Sequence, residues 1–329
     1  MSRTKSLAPS LDPPKFRNLL LRWYRRHQRK LPWRGQTDPY RILVSEIMLQ
    51  QTRVAVVEKR YKMFLRQFPN ARRLARARQQ AVLAAWSGLG YYRRARSLHA
   101  AAKLVIRRGG FPRSSVELQA LPGVGRYTAN AVASIAFGEP VPVVDGNVQR
   151  VLQRCLGRAL SPEQCWRSAE NLLDTRRPGD FNQAMMELGA LVCLPGTPLC
   201  DKCPIAILCA SRGAGPKRER VTRRKATLAY VLVRKNGSVL LQQRQTSSSL
   251  MPGMWELPSF DATDRKIAPT FKLRHSITTT DYSVSVFVDN SSNHARRPGR
   301  WVTLRTAQKL PLTGLARKIL RRLDWSFTA

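Results

Sequence analysis

From Phe16 to about Ala210 the apolar residues recur at helical spacing, and no alternating run interrupts them. Phe16, Leu19, Leu20 and Trp23 form one stripe, with Arg22, Arg25 and Arg26 on the other side. Tyr40 to Leu49 is apolar almost all round, which predicts a buried helix. Thr128 to Phe137, rich in small residues, predicts another. Residues 211–225 carry glycine, proline and basic side chains without periodicity and read as a linker. Beyond them the period changes to two. Thr227–Val233 and Ser238–Gln243 flank Asn236-Gly237, a tight-hairpin signal. Tyr282–Val288 alternates again, and Leu315, Ile319 and Leu323 mark a basic C-terminal helix. The pattern predicts a mainly α module over residues 15–210 and an α+β domain over 226–329. Polar residues 1–14 read as a flexible basic arm.

The charge adds a partner. The 329 residues include 58 Lys and Arg against 20 Asp and Glu, a net charge of +38. A compact chain with that excess repels itself unless a polyanion binds it, and nucleic acid is the default polyanion. An anionic membrane surface is the weaker choice. A membrane span needs about 20 apolar residues in a row, and the best run is Ala81–Trp86. No apolar signal segment opens the chain, so the expectation is an intracellular protein; a cytoplasmic, nucleoid-associated location, a bacterial source and a monomer are further expectations.

Cysteine usage then implies a metal. Cys193, Cys200, Cys203 and Cys209 follow the spacing C-x6-C-x2-C-x5-C, which can enclose zinc or an iron–sulfur cluster. Cys155 and Cys165 lie outside this group and read as packing residues. Leu121-Pro-Gly-Val-Gly-Arg-Tyr-Thr-Ala129 joins two helical stretches. Gly123 and Gly125 permit a sharp turn at positive φ into a helix start, which either caps a helix–turn–helix joint or holds a DNA phosphate. Two acids stand out in so basic a chain. Glu46 lies in an apolar helix, where it is a general acid of raised pKa, a buried ion pair or a member of an exposed stripe. Asp145 precedes a helical stretch, as an N-cap or as a carboxylate facing a cationic sugar.

Six motifs occur in order: Leu31-Pro-Trp-Arg34, Ser45-Glu-Ile-Met-Leu-Gln-Gln-Thr-Arg-Val54, Gly88-Leu-Gly-Tyr-Tyr92, Leu121-Pro-Gly-Val-Gly125, Val144-Asp-Gly-Asn-Val148 and Met186-Glu-Leu-Gly189. With the cysteine loop, they closely resemble the MutY-type adenine DNA glycosylases of the endonuclease III, or helix-hairpin-helix, superfamily. The resemblance covers residues 16–210 and, more weakly, the C-terminal domain. It implies a two-lobed helix-hairpin-helix glycosylase, with a six-helix lobe at about 34–138. A lobe carrying a [4Fe–4S] cluster on the four cysteines would comprise 15–33 and 139–210, and a Nudix-like 8-oxoguanine recognition domain would follow. The implied partner is double-stranded DNA bearing adenine opposite 8-oxoguanine or guanine, with the adenine flipped into a pocket.

By that resemblance Glu46 is the general acid and Asp145 stabilises the oxocarbenium centre. Tyr127 and Asn147 line the catalytic pocket, and Arg34 and Glu187 hold the base. Gln51, Thr52, Leu89 and Tyr91 meet the vacated stack, where Tyr91 is a wedge or a core aromatic. Bifunctional relatives carry a lysine at the position of Tyr127, and a tyrosine cannot form their Schiff base. The expectation is a monofunctional enzyme, against the rivals of a bifunctional pyrimidine glycosylase and a catalytically dead DNA-binding scaffold. Gly253-Met-Trp-Glu-Leu-Pro258 resembles the Nudix-like domain, but Ser259–Thr270 lacks the glutamates of an active Nudix hydrolase. The family's usual Phe-Ser-His sensor of 8-oxoguanine is replaced by Ile277-Thr278-Thr279, which leaves Thr278 to contact the oxidised base. His275 is a substitute sensor or a surface-loop residue.

Overall fold

The computed structural model describes residues 11–212, 223–245, 247–248, 251–260, 268–277, 280–289 and 299–322. Most of the expected arm and linker, Asp261 and Asp264, Thr278, Thr279 and Leu323 lie outside the described residues. Eleven α-helices precede the first strand among those described: α1 (Pro13–His27), α2 (Pro39–Leu49), α3 (Val54–Gln67), α4 (Ala71–Ala75), α5 (Gln79–Ala85), α6 (Arg93–Arg107), α7 (Ser115–Leu118), α8 (Arg126–Ala136), α9 (Gly146–Cys155), α10 (Pro162–Leu172) and α11 (Pro178–Leu191). The arm is shorter than expected. Pro13 sits in the first turn of α1, and the Asp12 carboxylate accepts from the Lys15 amide at 3.1 Å. A proline lacks the amide that a helix start leaves unpaired, and an aspartate satisfies one that remains.

The chain divides into two compact units, residues 1–75 with 100–219 and residues 76–99 with 220–329. The second unit therefore takes in a stretch that sequence alone assigns to the helical module.

In the first unit, α1 contributes Phe16, Leu20 and Leu21 to one core with Val151 and Leu152 of α9, Leu172 of α10, and Phe181 and Leu188 of α11. Cys193, Cys203 and Cys209 border that core. Burial of each large apolar side chain contributes about 2 kcal/mol. α2 packs on α3 and α8 and buries every residue from Ile42 to Met48, Glu46 included.

In the second unit the strands are β1 (Arg224–Lys235), β2 (Ser238–Gln243), β3 (Trp255–Glu256), β4 (Ser259–Phe260), β5 (Phe271–Ile277), β6 (Thr280–Asp289) and β7 (Arg300–Thr303), followed by helices α12 (Leu304–Lys309) and α13 (Gly314–Arg321). The sheet runs β3-β2-β1-β6-β5, with β4 beside β1 and β7 beside β2. Asn236 and Gly237 have φ of 46° and 69°, as a two-residue hairpin turn requires. β1 pairs with β6 in parallel and is buried without a break from Ala229 to Val233, so its alternation does not separate a wet face from a dry one. Tyr230 and Leu232 join the core under α13, and Val231 and Val233 pack with Phe260 and Trp301 on the other face.

Candidate active site

α2 carries Glu46 and α8 carries Tyr127, and these helices pack together. The Tyr127 hydroxyl donates to Glu46 Oε2 at 2.8 Å and lies 3.3 Å from Met186 Sδ. Burial pushes the Glu46 carboxyl up, the Tyr127 hydrogen bond and the Arg34 charge pull it back, and Asp145 raises it again; the net direction is up. Of the three readings open for Glu46, an exposed stripe is the one its burial excludes. Among the described residues it has no ion-pair partner within 4 Å, and it is 6% exposed.

Asp145 takes the capping role. As N-cap of α9, its Oδ1 accepts from the Asn147 and Val148 amides at 2.8 and 2.7 Å, and its Oδ2 accepts from Asn147 Nδ2 at 2.9 Å. It also lines a cavity of about 580 Å³ together with Glu46, Tyr127, Asn147 and Arg34. Sequence could not bring the two carboxylates together; the crossing of α2, α8 and the α9 start does. Gly189 of the Met186–Gly189 motif sits against the start of α9. A Cβ there would fall 2.5 Å from the Asn147 Cβ, so only glycine lets α11 pass the start of α9 this closely.

At the inner wall Glu187 is fully buried. Its Oε1 accepts from the Arg29 amide and Nε at 2.9 and 2.8 Å, and its Oε2 accepts from Arg29 Nη2 and Arg34 Nη2 at 2.9 Å each. Burial raises this carboxyl, but the Arg29 hydrogen bonds and the two guanidinium charges outweigh it, and the net shift is downward. The Glu187 carboxylate is thus engaged by two arginines, and its observed work is to hold them. Arg29 was invisible as a site residue in the sequence, where Arg29-Lys30 reads as another basic surface pair. Gln183 Oε1 accepts from Arg34 Nη1 at 2.5 Å.

Gln51 and Thr52 line the same cavity, Gln51 at a φ of 54°. Leu89 and Tyr91 belong to the second unit. Leu89 is buried, 4% exposed. Tyr91 is instead 43% exposed at a φ of 46°, with the Arg94 guanidinium 5.3 Å from its ring centroid. Gly123 has the expected positive φ of 77°, but Gly125 does not. Gly125 caps α8 at a φ of −88°, with no side-chain cap, and a Cβ there would meet nothing within 4 Å. Neither conformation nor internal packing demands glycine at that position.

The four cysteines line one pocket beside Arg154. Arg154, 7% exposed, donates to Cys193 Sγ at 3.3 Å and to the carbonyls of Leu194 and Gly196. Cys155 is buried as expected, yet its thiol also bonds to Cys209. That hydrogen bond brings the Cys209 thiol down to about 6 against the effect of burial, helped by the amides of Ser211 and Arg212. Among the described residues no three His, Cys, Asp or Glu side chains converge as a single metal ion requires. Four sulfurs around one pocket, with a buried guanidinium beside them, fit an anionic thiolate-bound metal group.

In the second unit His275 lies on β5 opposite Tyr282, not in a surface loop. Burial, with Lys318 nearby, lowers its pKa. Glu256 of the Gly253–Pro258 motif is engaged by Arg244 at 2.6 Å and Tyr230 at 3.4 Å.

Residues 44–173 match the HhH-GPD superfamily of base excision DNA repair proteins, and residues 229–322 match the NUDIX domain. The chain is 47% identical over 214 residues to the adenine DNA glycosylase of Homo sapiens, covering 60% of this chain and 39% of that protein. It is 31% identical over 262 residues to the adenine DNA glycosylase of Buchnera aphidicola subsp. Schizaphis graminum, covering 75% of each. The chain spans less than half the length of the human, mouse, rat and Arabidopsis thaliana relatives. Among solved structures, a thermostable thymine-DNA glycosylase aligns at a TM-score of 0.58 and 32% identity, over 61% of this chain and 96% of the other. A trapped endonuclease III–DNA covalent intermediate aligns at a TM-score of 0.53 and 24% identity, over 62% and 98%, a likeness of fold.

Proposed function

Because the chain belongs to the adenine DNA glycosylase family of the HhH-GPD base excision repair superfamily, we propose that it hydrolyses the N-glycosidic bond of adenine mispaired with 8-oxoguanine or guanine in double-stranded DNA. The observation that carries this reading is the single cavity holding a buried carboxyl of raised pKa and a second, hydrogen-bonded carboxylate. Two carboxyl groups in unlike environments divide the work of glycosidic cleavage.

Glu46 donates its proton to a ring nitrogen of the flipped adenine. The bond from the sugar C1′ to the base breaks, and its electron pair leaves with the purine. The Asp145 carboxylate stabilises the cationic sugar. Water adds to C1′, and its proton returns to the Glu46 carboxylate. Tyr127 orients Glu46, and Asn147 holds Asp145. Tyr127 offers no amine to the sugar, so an abasic site remains and the strand stays intact. The open amides at Gly125 favour a DNA phosphate over a mere helix joint. Tyr91, exposed and braced by Arg94, suits the vacated stack.

Cys193, Cys200, Cys203 and Cys209 would hold a [4Fe–4S] cluster. Bound there, the cluster would crosslink the loop through the four thiolates.

Single-turnover base release tests the reading, on duplexes with adenine opposite 8-oxoguanine or guanine and an oxidised pyrimidine as control. Strand breaks only after alkali, in the adenine duplexes, are expected. Breaks without alkali at the pyrimidine lesion would favour the bifunctional class, and no release at all a dead scaffold.

A further inference from the structure

A second cavity of about 620 Å³ lies against the catalytic one and shares Arg29, Leu31 and Arg34 with it. It is lined by the end of α1, the turn after it, and α3. Six of its lining side chains are cationic: Arg25, Arg26, Arg29, Lys30, Arg34 and Lys62. Glu58 is the one carboxylate on that lining among the described residues.

The charges differ in how they are held. Glu187 engages Arg29 and Arg34. Arg25, Arg26, Lys30 and Lys62 have no hydrogen-bond or ion-pair partner among the described residues. The negative end of α1 offsets only about half a charge. In addition, the buried Nε of Arg34 has no hydrogen-bond partner. Like charges around a concavity repel one another and concentrate counter-anions there. The volume lies within the ordinary range for small-molecule sites, about 300–1,000 Å³.

We propose that this groove is a second anion site, taking a phosphate-bearing ligand of nucleotide size. Arginine and lysine at its walls suit phosphate oxygens, with arginine able to grip two at once. The phosphate comes from a nucleotide of bound DNA or from a free nucleotide. The chemistry is shared, and competition separates the sources.

The test titrates the full chain with inorganic pyrophosphate by calorimetry. Arg25→Ala/Lys62→Ala removes two unpartnered walls. Arg72→Ala/Arg73→Ala on α4 removes the same charge from another exposed stretch. Saturable one-to-one binding is expected, weakened roughly tenfold by the groove variant and unchanged by the α4 variant. Equal weakening by both variants, or binding that never saturates, would overturn the proposal as non-specific charge attraction. Matching thermal midpoints for the two variants exclude a folding defect as the cause. Displacement of pyrophosphate by undamaged duplex assigns the groove to DNA, and a ternary complex assigns it to a free nucleotide. The readout needs no glycosylase activity, so this proposal and the enzymatic reading fail separately.

Discussion

Tyr127 donates its hydroxyl hydrogen to Glu46 Oε2 at 2.8 Å, inside the wall of the cavity that also holds Asp145. The bond favours the ionised carboxyl, while burial favours the protonated one and prevails. The native pKa of Glu46 therefore stands above its unfolded value of about 4.3. For a raised acid, the stability contribution is complete below the unfolded pKa and is lost as pH rises through the native pKa. A general acid is lost over the same limb. Base release should fall as pH rises through the native pKa of Glu46, and Glu46→Gln should abolish it. Tyr127→Phe removes a pKa-lowering bond, so the falling limb should move to higher pH, with about 1 kcal/mol of stability lost. Single-turnover rates across pH measure both.

Asp145 separates capping from catalysis. Asparagine caps a helix about as well as aspartate, so Asp145→Asn should leave the thermal midpoint nearly unchanged. It should lower base release by about 10²–10³-fold, the usual scale for removing one transition-state charge partner. Asp145→Ala should lose the activity and about 1 kcal/mol of stability as well. Parallel melting curves and single-turnover assays distinguish the two effects.

Glu187 depends on Arg29. Its native pKa is lowered, so its stabilising contribution is present above the unfolded pKa and is lost as pH falls through the native one. Arg29→Ala leaves a fully buried carboxylate with Arg34 as its remaining ion-pair partner. Because Arg29 is one-third exposed, the loss should fall below that of a fully buried pair, at about 2–3 kcal/mol. Denaturant unfolding at neutral pH and at successively lower pH, carried below the ordinary carboxylate range, should show the gap to wild type shrinking as Glu187 protonates.

The Gly88–Tyr92 loop is tied down within the second unit. The Tyr92 hydroxyl donates to the Leu312 carbonyl at 2.9 Å, and Arg317 donates to Ser87 Oγ. Tyr92→Phe should free the loop by about 1 kcal/mol, read as faster hydrogen exchange at the amides of residues 88–91. Unchanged exchange would mean that packing of Trp86 and Leu89 alone holds Tyr91 in place.

The sequence by itself determined the elements and the chemical inventory. Periodicity is a local property, so α2 and the β1–β2 hairpin follow from side-chain spacing and from Asn236-Gly237. Motif resemblance named Glu46, Asp145 and Tyr127 because their neighbours in the chain are distinctive. Tertiary structure decided the rest. Gly125 has an ordinary φ, which residue type does not reveal. Leu89 is buried, and residues 76–99 join the C-terminal unit, because contacts distant in sequence outweigh chain order. Arg29 emerged only with the Glu187 carboxylate 158 positions away. Desolvation of Glu46 likewise needs all its neighbours: an apolar segment predicts burial, but the direction of a pKa follows from the summed field of Tyr127, Arg34 and Asp145, which only the packed helices bring within reach of one another.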